Sequence, residues 1–139
     1  MNNSILFLTE NIHYTEKLKK QSNENYNFHF LTYNKFYLHI KDINSYELII
    51  FDNSNYSLIK FKEVLKQFED YNFDIPIIIL QNKTLNDLSI YKSINTYAIF
   101  EQNINENSLL ANIEICLHSL RKNKKIQFEN NFYFHVNKK

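Results

Sequence analysis

The segment Glu47-Leu48-Ile49-Ile50-Phe51-Asp52 decides the fold of this 139-residue chain. Its apolar run has the length of a buried strand, and it ends on a carboxylate that a polar loop follows. A second run, Ile75-Pro76-Ile77-Ile78-Ile79-Leu80, begins after a gap that suits one helix and two loops. Two strands joined in this way form a parallel βαβ unit. Asp52 is therefore predicted at the carboxyl edge of a parallel sheet, where open α/β folds place their functional residues.

The rest of the chain repeats this alternation of apolar strand and amphipathic helix. The clearest helical stripe is Phe61, Val64, Leu65 and Phe68, which follow the i, i+3, i+4, i+7 spacing. Such alternation predicts an α/β domain, a (βα)5 three-layer sandwich with a five-stranded parallel sheet. The predicted strands are Ser4–Leu8, Asn27–Leu31, Glu47–Phe51, Ile75–Leu80 and Thr96–Phe100, and the predicted helices are 12–21, 33–43, 57–68, 85–94 and 105–122.

The C-terminal part of the chain departs from this pattern. A basic stretch at residues 121–125 is followed by two alternating apolar runs on either side of Asn130-Asn131. Asparagine tolerates the positive φ of a primed turn, so the pattern predicts a β-hairpin-like tail. We therefore predict one domain over residues 1–122, and a linker with the start of a further unit over residues 123–139.

Composition disfavours several functional classes. The chain has no glycine, so it contains neither a glycine-rich dinucleotide motif nor a P-loop. The net charge of +1 gives no general attraction to nucleic acid or to membranes. The single cysteine, Cys116, cannot form an internal disulfide, and the N-terminus does not resemble a signal peptide. We expect a cytoplasmic protein that does not bind membranes.

The strand that ends on Asp52 and the segment Asp74-Ile75-Pro76-Ile77-Ile78-Ile79 resemble the receiver domain of bacterial two-component response regulators. The resemblance covers about residues 4–122 and implies a flavodoxin-like fold. In that family the first segment carries the aspartate that accepts a phosphoryl group, and Asp52 holds this position. The resemblance implies a regulatory module rather than an enzyme, with a histidine kinase as a partner.

The same resemblance implies a magnesium site, of which this sequence retains only a part. In the family, two acidic residues after the first strand help to bind Mg²⁺. Thr9 and Glu10 stand at these positions, so one acid is lost. The remaining ligands correspond to Asp52 and the backbone carbonyl of Ser54. Hard divalent ions favour clustered oxygen ligands, so we expect weakened Mg²⁺ binding.

The receiver positions that respond to phosphorylation are also substituted. Gln81 corresponds to the Ser or Thr that ends strand four, and Phe100 corresponds to the Lys that ends strand five. Tyr97 matches the switch aromatic on strand five. An aspartyl phosphate brings nearly two negative charges, which Mg²⁺ and that lysine neutralise. These substitutions predict an atypical receiver without a normal phosphorylation switch.

We therefore predict a regulatory module that acts through protein–protein contact and controls transcription. Its homodimer face would be built from the fourth helix, the fifth strand and the fifth helix, with Leu88, Tyr91, Tyr97 and Leu117 as candidates. The basic linker and the tail resemble the opening of a winged-helix DNA-binding domain. This second resemblance implies contact with DNA through an effector domain that the sequence lacks.

Two alternatives remain open. One is a Mg²⁺-dependent receiver in which Asp52 still accepts a phosphoryl group, with Glu10 and the Ser54 carbonyl holding the metal. The other, from a different class, is a small flavodoxin-like enzyme or FMN binder, which the absence of glycine disfavours.

Overall fold

Five strands and a small set of helices make up the part of the chain that the computed structural model describes. The described residues are 4–11, 16–19, 26–53, 58–71, 74–81, 91–101 and 104–137. The strands are β1 (Ser4–Leu8), β2 (Asn27–Leu31), β3 (Leu48–Asn53), β4 (Ile77–Gln81) and β5 (Thr96–Glu101). The helices are Tyr33–His39, the 3-10 helix Ile40–Ser45, Leu58–Tyr71 and Glu106–Asn137, and residues 16–19 are also helical.

The strands form one sheet in the order β2-β1-β3-β4-β5. Every pair of neighbouring strands is parallel. This is the flavodoxin-like order, in which the functional crevice lies outside the carboxyl ends of β1 and β3, where the strand order reverses. The predicted α/β fold with a five-stranded parallel sheet is therefore confirmed.

The central strands β1, β3 and β4 are buried on both faces, as their unbroken apolar runs require. One face packs against the helices Tyr33–His39 and Leu58–Tyr71 in a single hydrophobic cluster. On the other face, the ring of Phe7 lies 5.5 Å from that of Phe30, and the Lys19 ammonium lies 5.2 Å from the Phe30 ring. Each fully buried Leu, Ile or Phe side chain stabilises the fold by about 1.5–3 kcal/mol, so the core fixes the strand register.

β3 extends two residues beyond the predicted strand. Asp52 and Asn53 are therefore strand residues, and they are only 4% and 1% exposed. They pair in register with Leu80 and Gln81 of β4. A hydropathy pattern ends a strand at its first charged residue, so it cannot anticipate buried polar side chains that find partners in the fold.

Two predicted helices are confirmed with changes at their ends. The helix predicted over 33–43 becomes a 3-10 helix after His39, and the one predicted over 57–68 continues to Tyr71. The helices predicted over 12–21 and 85–94 lie mostly outside the described residues.

The C-terminal tail is helical where the sequence predicts a β-hairpin. One helix runs from Glu106 to Asn137. Neither Gly nor Pro interrupts the sequence after residue 122, and extending an existing helix needs no new nucleation. The structure thus replaces the predicted hairpin with a continuation of the helix. The assignment of residues 123–139 to a separate domain stays a prediction.

The chain divides into two compact units, Met1–Glu106 and Asn107–Lys139. In the second unit, Leu109, Ile113, Cys116 and Leu117 are buried at the spacing of one helix face. Burial raises the pKa of the Cys116 thiol to about 11. Within the described residues, no helix has the length and apolar character needed to cross a membrane.

Candidate functional site

The strand register brings Thr9 beside Asp52. Leu8 of β1 pairs with Phe51 of β3, and Thr9 and Asp52 are the next residues of the two chain segments. The Thr9 hydroxyl donates a hydrogen bond of 2.6 Å to Asp52 Oδ2. Both residues are 4% exposed. Hydroxyl bonds to a carboxylate are short and about twice as strong as neutral ones, so Thr9 is a main support of the buried Asp52 side chain.

A second hydrogen bond fixes the direction of the Thr9 hydroxyl. Its oxygen accepts the backbone N–H of Asn11 at 3.0 Å. The backbone N–H of Thr9 donates in turn to the carbonyl of Leu31 in β2, also at 3.0 Å. A threonine hydroxyl has one proton to donate. With an amide on its lone pair, that proton is directed at Asp52.

Glu10 lies at the same edge, but its carboxylate is directed at a helix. Its Oε1 accepts the backbone N–H of Tyr33 at 3.0 Å. Tyr33 is the first residue of the helix Tyr33–His39, and the first N–H groups of a helix have no partner within it. A carboxylate at a helix N-terminus also interacts favourably with the aligned peptide dipoles. Glu10 therefore stabilises the start of this helix.

Tyr33 connects both acidic residues of the site. Its backbone N–H binds Glu10, and its hydroxyl donates to the backbone carbonyl of Asp52. Its ring packs edge-to-face on Phe51, with the centroids 5.5 Å apart. Burial raises the pKa of the Tyr33 phenol, and the negative charges of Asp52 and then Glu10 raise it further. The phenol is therefore held in its protonated form, as a hydrogen-bond donor.

Asn53, the residue after Asp52, extends this set of hydrogen bonds to Tyr91. The Asn53 side-chain amide donates to the Tyr91 hydroxyl at 3.1 Å. Both side chains are buried, with 1% and 2% exposure. Tyr91 precedes β5, and the Thr96 hydroxyl donates to the Tyr91 backbone carbonyl at 3.1 Å. The carboxyl edge is thus joined to the start of β5.

Two of the predicted switch positions, Gln81 and Phe100, lie at the same carboxyl edge of the sheet. Gln81 pairs with Asn53 on one side and with Glu101 on the other. Phe100 pairs with Leu80, the residue that pairs with Asp52. Paired residues of parallel strands point to the same face of the sheet, so Phe100 shares a face with Asp52, two strands away. Its ring is half-buried and uncharged, so it cannot neutralise a phosphoryl group.

Tyr97, the third switch position, is 43% exposed on the edge strand β5. Ser54, the predicted carbonyl ligand, lies outside the described residues. The structure therefore brings Thr9, Glu10 and Asp52 together, and it leaves Tyr97 at the surface.

The side chains at this edge do not fit a receiver-type magnesium site. Thr9 offers a hydroxyl that donates its proton in a hydrogen bond to Asp52, and the Glu10 carboxylate accepts the Tyr33 amide. Among the described residues, no group of three or more His, Cys, Asp or Glu side chains is arranged to hold a metal ion. A hard divalent ion needs several oxygen ligands, and its binding here would compete with these hydrogen bonds.

Sequence reasoning missed Tyr33 and Tyr91 as members of the site. Each buries an apolar ring in the core and brings a hydroxyl to the edge of β3. The sequence predicts Tyr33 only as the first residue of a helix, and Tyr91 as a helical residue of the dimer face. Their partners lie 19 and 38 residues away in the sequence. A useful signal for Tyr33 is its place two residues after the end of β2, near the predicted carboxyl edge.

Solved structures of low sequence identity share this fold. One, with a TM-score of 0.66 and 14% identity, is the N-terminal domain of a response regulator/sensory box/GGDEF three-domain protein from Carboxydothermus hydrogenoformans. The match covers 86% of this chain and 98% of that one. Another, with a TM-score of 0.65 and 11% identity, is a fusion carrying the trimeric coiled coil of yeast Spc42, with coverage of 99% and 96%.

No protein-family model matches the sequence, and no curated protein matches it at a significant level. The structural likeness identifies the class of fold: the chain has the flavodoxin-like fold of receiver domains. At these identities the likeness concerns the fold alone.

Proposed function

We propose that this chain is a regulatory signalling module in which Asp52 holds the acceptor position of a receiver without serving a normal phosphorylation switch. The observation that supports this proposal is the 2.6 Å hydrogen bond from the Thr9 hydroxyl to Asp52 Oδ2. Thr9 stands at the position where the receiver resemblance implies a second metal-binding carboxylate. The module would act through protein–protein contact.

The chemistry of phosphoryl transfer explains the weight given to this bond. To accept a phosphoryl group, Asp52 must present a carboxylate oxygen as the nucleophile, and nearby cations must neutralise the added charge. The Thr9 bond stabilises the unmodified carboxylate, which is 4% exposed. Glu10 as a metal ligand would be shared with the Tyr33 amide, which its Oε1 already binds. Both features raise the cost of the reaction.

Incubation with acetyl phosphate and Mg²⁺, followed by intact-mass measurement, tests the proposal. We expect no gain of a phosphoryl mass in the native protein. The Asp52→Asn variant is the matched control, because it removes the acceptor oxygen and changes little else in size. A mass gain in the native protein that is absent from Asp52→Asn would contradict the proposal.

That contradicting outcome would support the alternative function, a Mg²⁺-dependent phospho-accepting receiver. One observation favours this alternative: Glu10 directly follows Thr9, whose hydroxyl is bonded to Asp52, so two carboxylates lie at the same edge of the sheet. Proteins usually bind Mg²⁺ through one or two carboxylates. The same mass measurement distinguishes the two functions.

The proposed contact with a second copy of this chain centres on Tyr97. Of the predicted interface residues, Tyr91 and Leu117 are buried, and Leu88 lies outside the described residues. Tyr97 is 43% exposed on an edge strand, and exposed aromatic residues are enriched in interfaces. We expect light scattering after size-exclusion chromatography to report a dimer that Tyr97→Glu weakens. Tyr71→Glu is the control, since Tyr71 is also exposed, at 52%, in a helix. A native monomer at high concentration would contradict the dimer.

A transcriptional output and a histidine kinase partner are further parts of this proposal. They derive from the receiver resemblance and not from a feature of the site. The tail gives less support to a winged-helix effector than its sequence suggests, because residues up to Asn137 are helical.

A further inference from the structure

Tyr91 is bonded at both of its ends. Its hydroxyl accepts the Asn53 amide at 3.1 Å, next to Asp52 in β3. Its backbone carbonyl accepts the hydroxyl of Thr96, the first residue of β5, at 3.1 Å. The same carbonyl accepts the N–H of Ile94, two residues before β5, at 3.4 Å. The side chain is 2% exposed and belongs to the main hydrophobic cluster. A single residue thus spans the distance from the acceptor strand to the first residue of β5.

The arrangement is suited to carrying a displacement. The Tyr91 ring is rigid between Cβ and its hydroxyl, and its close packing in the hydrophobic cluster restricts rotation of the side chain. A movement of Asn53 can therefore reach the Tyr91 backbone. The Tyr91 carbonyl holds the turn of residues 91–96, and Tyr97 follows immediately with 43% exposure. A buried hydrogen bond has two distinct conditions, made and broken, and physical coupling between sites requires such a two-state element.

We infer that Tyr91 is a coupling residue. Its hydrogen bond with Asn53 links the conformation of β3 at Asp52 to the conformation of the exposed surface of β5 at Tyr97. The inference deepens the proposed function as a regulatory module, because it names the internal connection between site and contact surface. It does not require phosphorylation, since any change that moves Asp52 or Asn53 acts on the same bond.

A fluorescence experiment tests the inference. The chain contains no tryptophan, so a Tyr97→Trp protein carries one indole at the contact surface. Asp52→Asn changes the site, because it removes the charge that Thr9 stabilises. We expect it to shift the indole emission maximum when Tyr91 is intact, and we expect Tyr91→Phe to abolish most of that shift. Tyr91→Phe keeps the buried ring and removes only the hydroxyl, so it should fold.

The matched control is Tyr46→Phe, which removes a tyrosine hydroxyl bonded to His29 Nδ1 at 2.9 Å, outside the proposed link. In that background the shift caused by Asp52→Asn should be unchanged. An absent shift, or an equal shift with and without the Tyr91 hydroxyl, would overturn the inference.

Hydrogen exchange provides a second readout that does not depend on Asp52→Asn. Loss of one neutral hydrogen bond corresponds to about a fivefold change in a local opening equilibrium. Asn53→Ala should therefore speed exchange of the Ile94 and Thr96 amides by about this factor, with no further increase when it is combined with Tyr91→Phe. Additive effects of the two substitutions would contradict the link. Both experiments use unphosphorylated protein, so their failure is distinct from failure of the proposed function.

Discussion

Replacing Thr9 by Val is the most informative perturbation of the site. The substitution removes the hydroxyl and nearly preserves the shape of the side chain. Two hydrogen bonds are lost, the 2.6 Å bond donated to Asp52 and the 3.0 Å bond accepted from the Asn11 amide. The Asp52 carboxylate is 4% exposed, so water cannot readily replace the missing donor.

The size of the effect follows from these two bonds. A hydrogen bond to a charged group contributes about 2 kcal/mol to stability, and a neutral one contributes about 1 kcal/mol. Together they predict that Thr9→Val lowers the free energy of unfolding by about 3 kcal/mol. For a chain of this length, 1 kcal/mol corresponds to about 3–4 °C in melting temperature, so Tm should fall by roughly 10 °C.

Urea unfolding followed by circular dichroism measures this loss. Thr96→Val is the matched control, because its hydroxyl makes one uncharged, half-buried bond to the Tyr91 carbonyl. It should cost only about 1 kcal/mol. In a double-mutant cycle, Thr9→Val and Asp52→Asn should show a coupling of about 2 kcal/mol. Additive effects of the two changes, or a Thr9→Val protein as stable as the native one, would show that the Thr9 hydroxyl does not support Asp52.

Three further predictions concern the neighbouring groups. A Tyr phenol whose pKa is raised in the folded state contributes to the free energy of unfolding. This contribution is complete below about pH 10 and is lost as the pH rises further. Tyr33→Phe should therefore flatten the fall in urea midpoint between about pH 9 and pH 11, and an unchanged slope would contradict the burial of the phenol. Thr9→Asp adds a carboxylate beside Glu10 and Asp52, so it should lower Tm. Mg²⁺ at about 100 times its Kd should then raise the free energy of unfolding of this variant by about 2.7 kcal/mol. Equal Mg²⁺ effects on the native protein would count against this reading of the site. Cys116, with its pKa raised to about 11, should react with iodoacetamide at pH 8 about 100-fold more slowly than in denaturant, and fast native labelling would show that the thiol is accessible.

The sheet was predictable because its strands are long apolar runs between polar loops. Ser4–Leu8 and Asn27–Leu31 were predicted with the bounds that the structure shows. The alternation of strands with helices then left few possible topologies, because crossover connections between parallel strands are right-handed. The location of Asp52 at the carboxyl edge followed from the same pattern, since it depends only on strand direction.

The partners of Asp52 were not predictable, because they depend on contacts between distant parts of the chain. The sequence marks Thr9 only as a lost acid, whereas in the structure its hydroxyl supports the carboxylate. Tyr33 and Tyr91 have the periodicity of core residues, and only the fold brings their hydroxyls to β3. The prediction of a hairpin in the C-terminal tail was wrong for a different reason. Alternation around Asn130-Asn131 favours a hairpin locally, but the preceding helix continues through it.

The central claim is that Asp52 is a supported, structural carboxylate and not the acceptor of a normal phosphorylation switch. Intact-mass measurement of the native protein after incubation with acetyl phosphate and Mg²⁺ tests it most directly, with Asp52→Asn treated in parallel. We expect an unchanged mass for both proteins. A phosphoryl mass on the native protein that is missing from Asp52→Asn would contradict it.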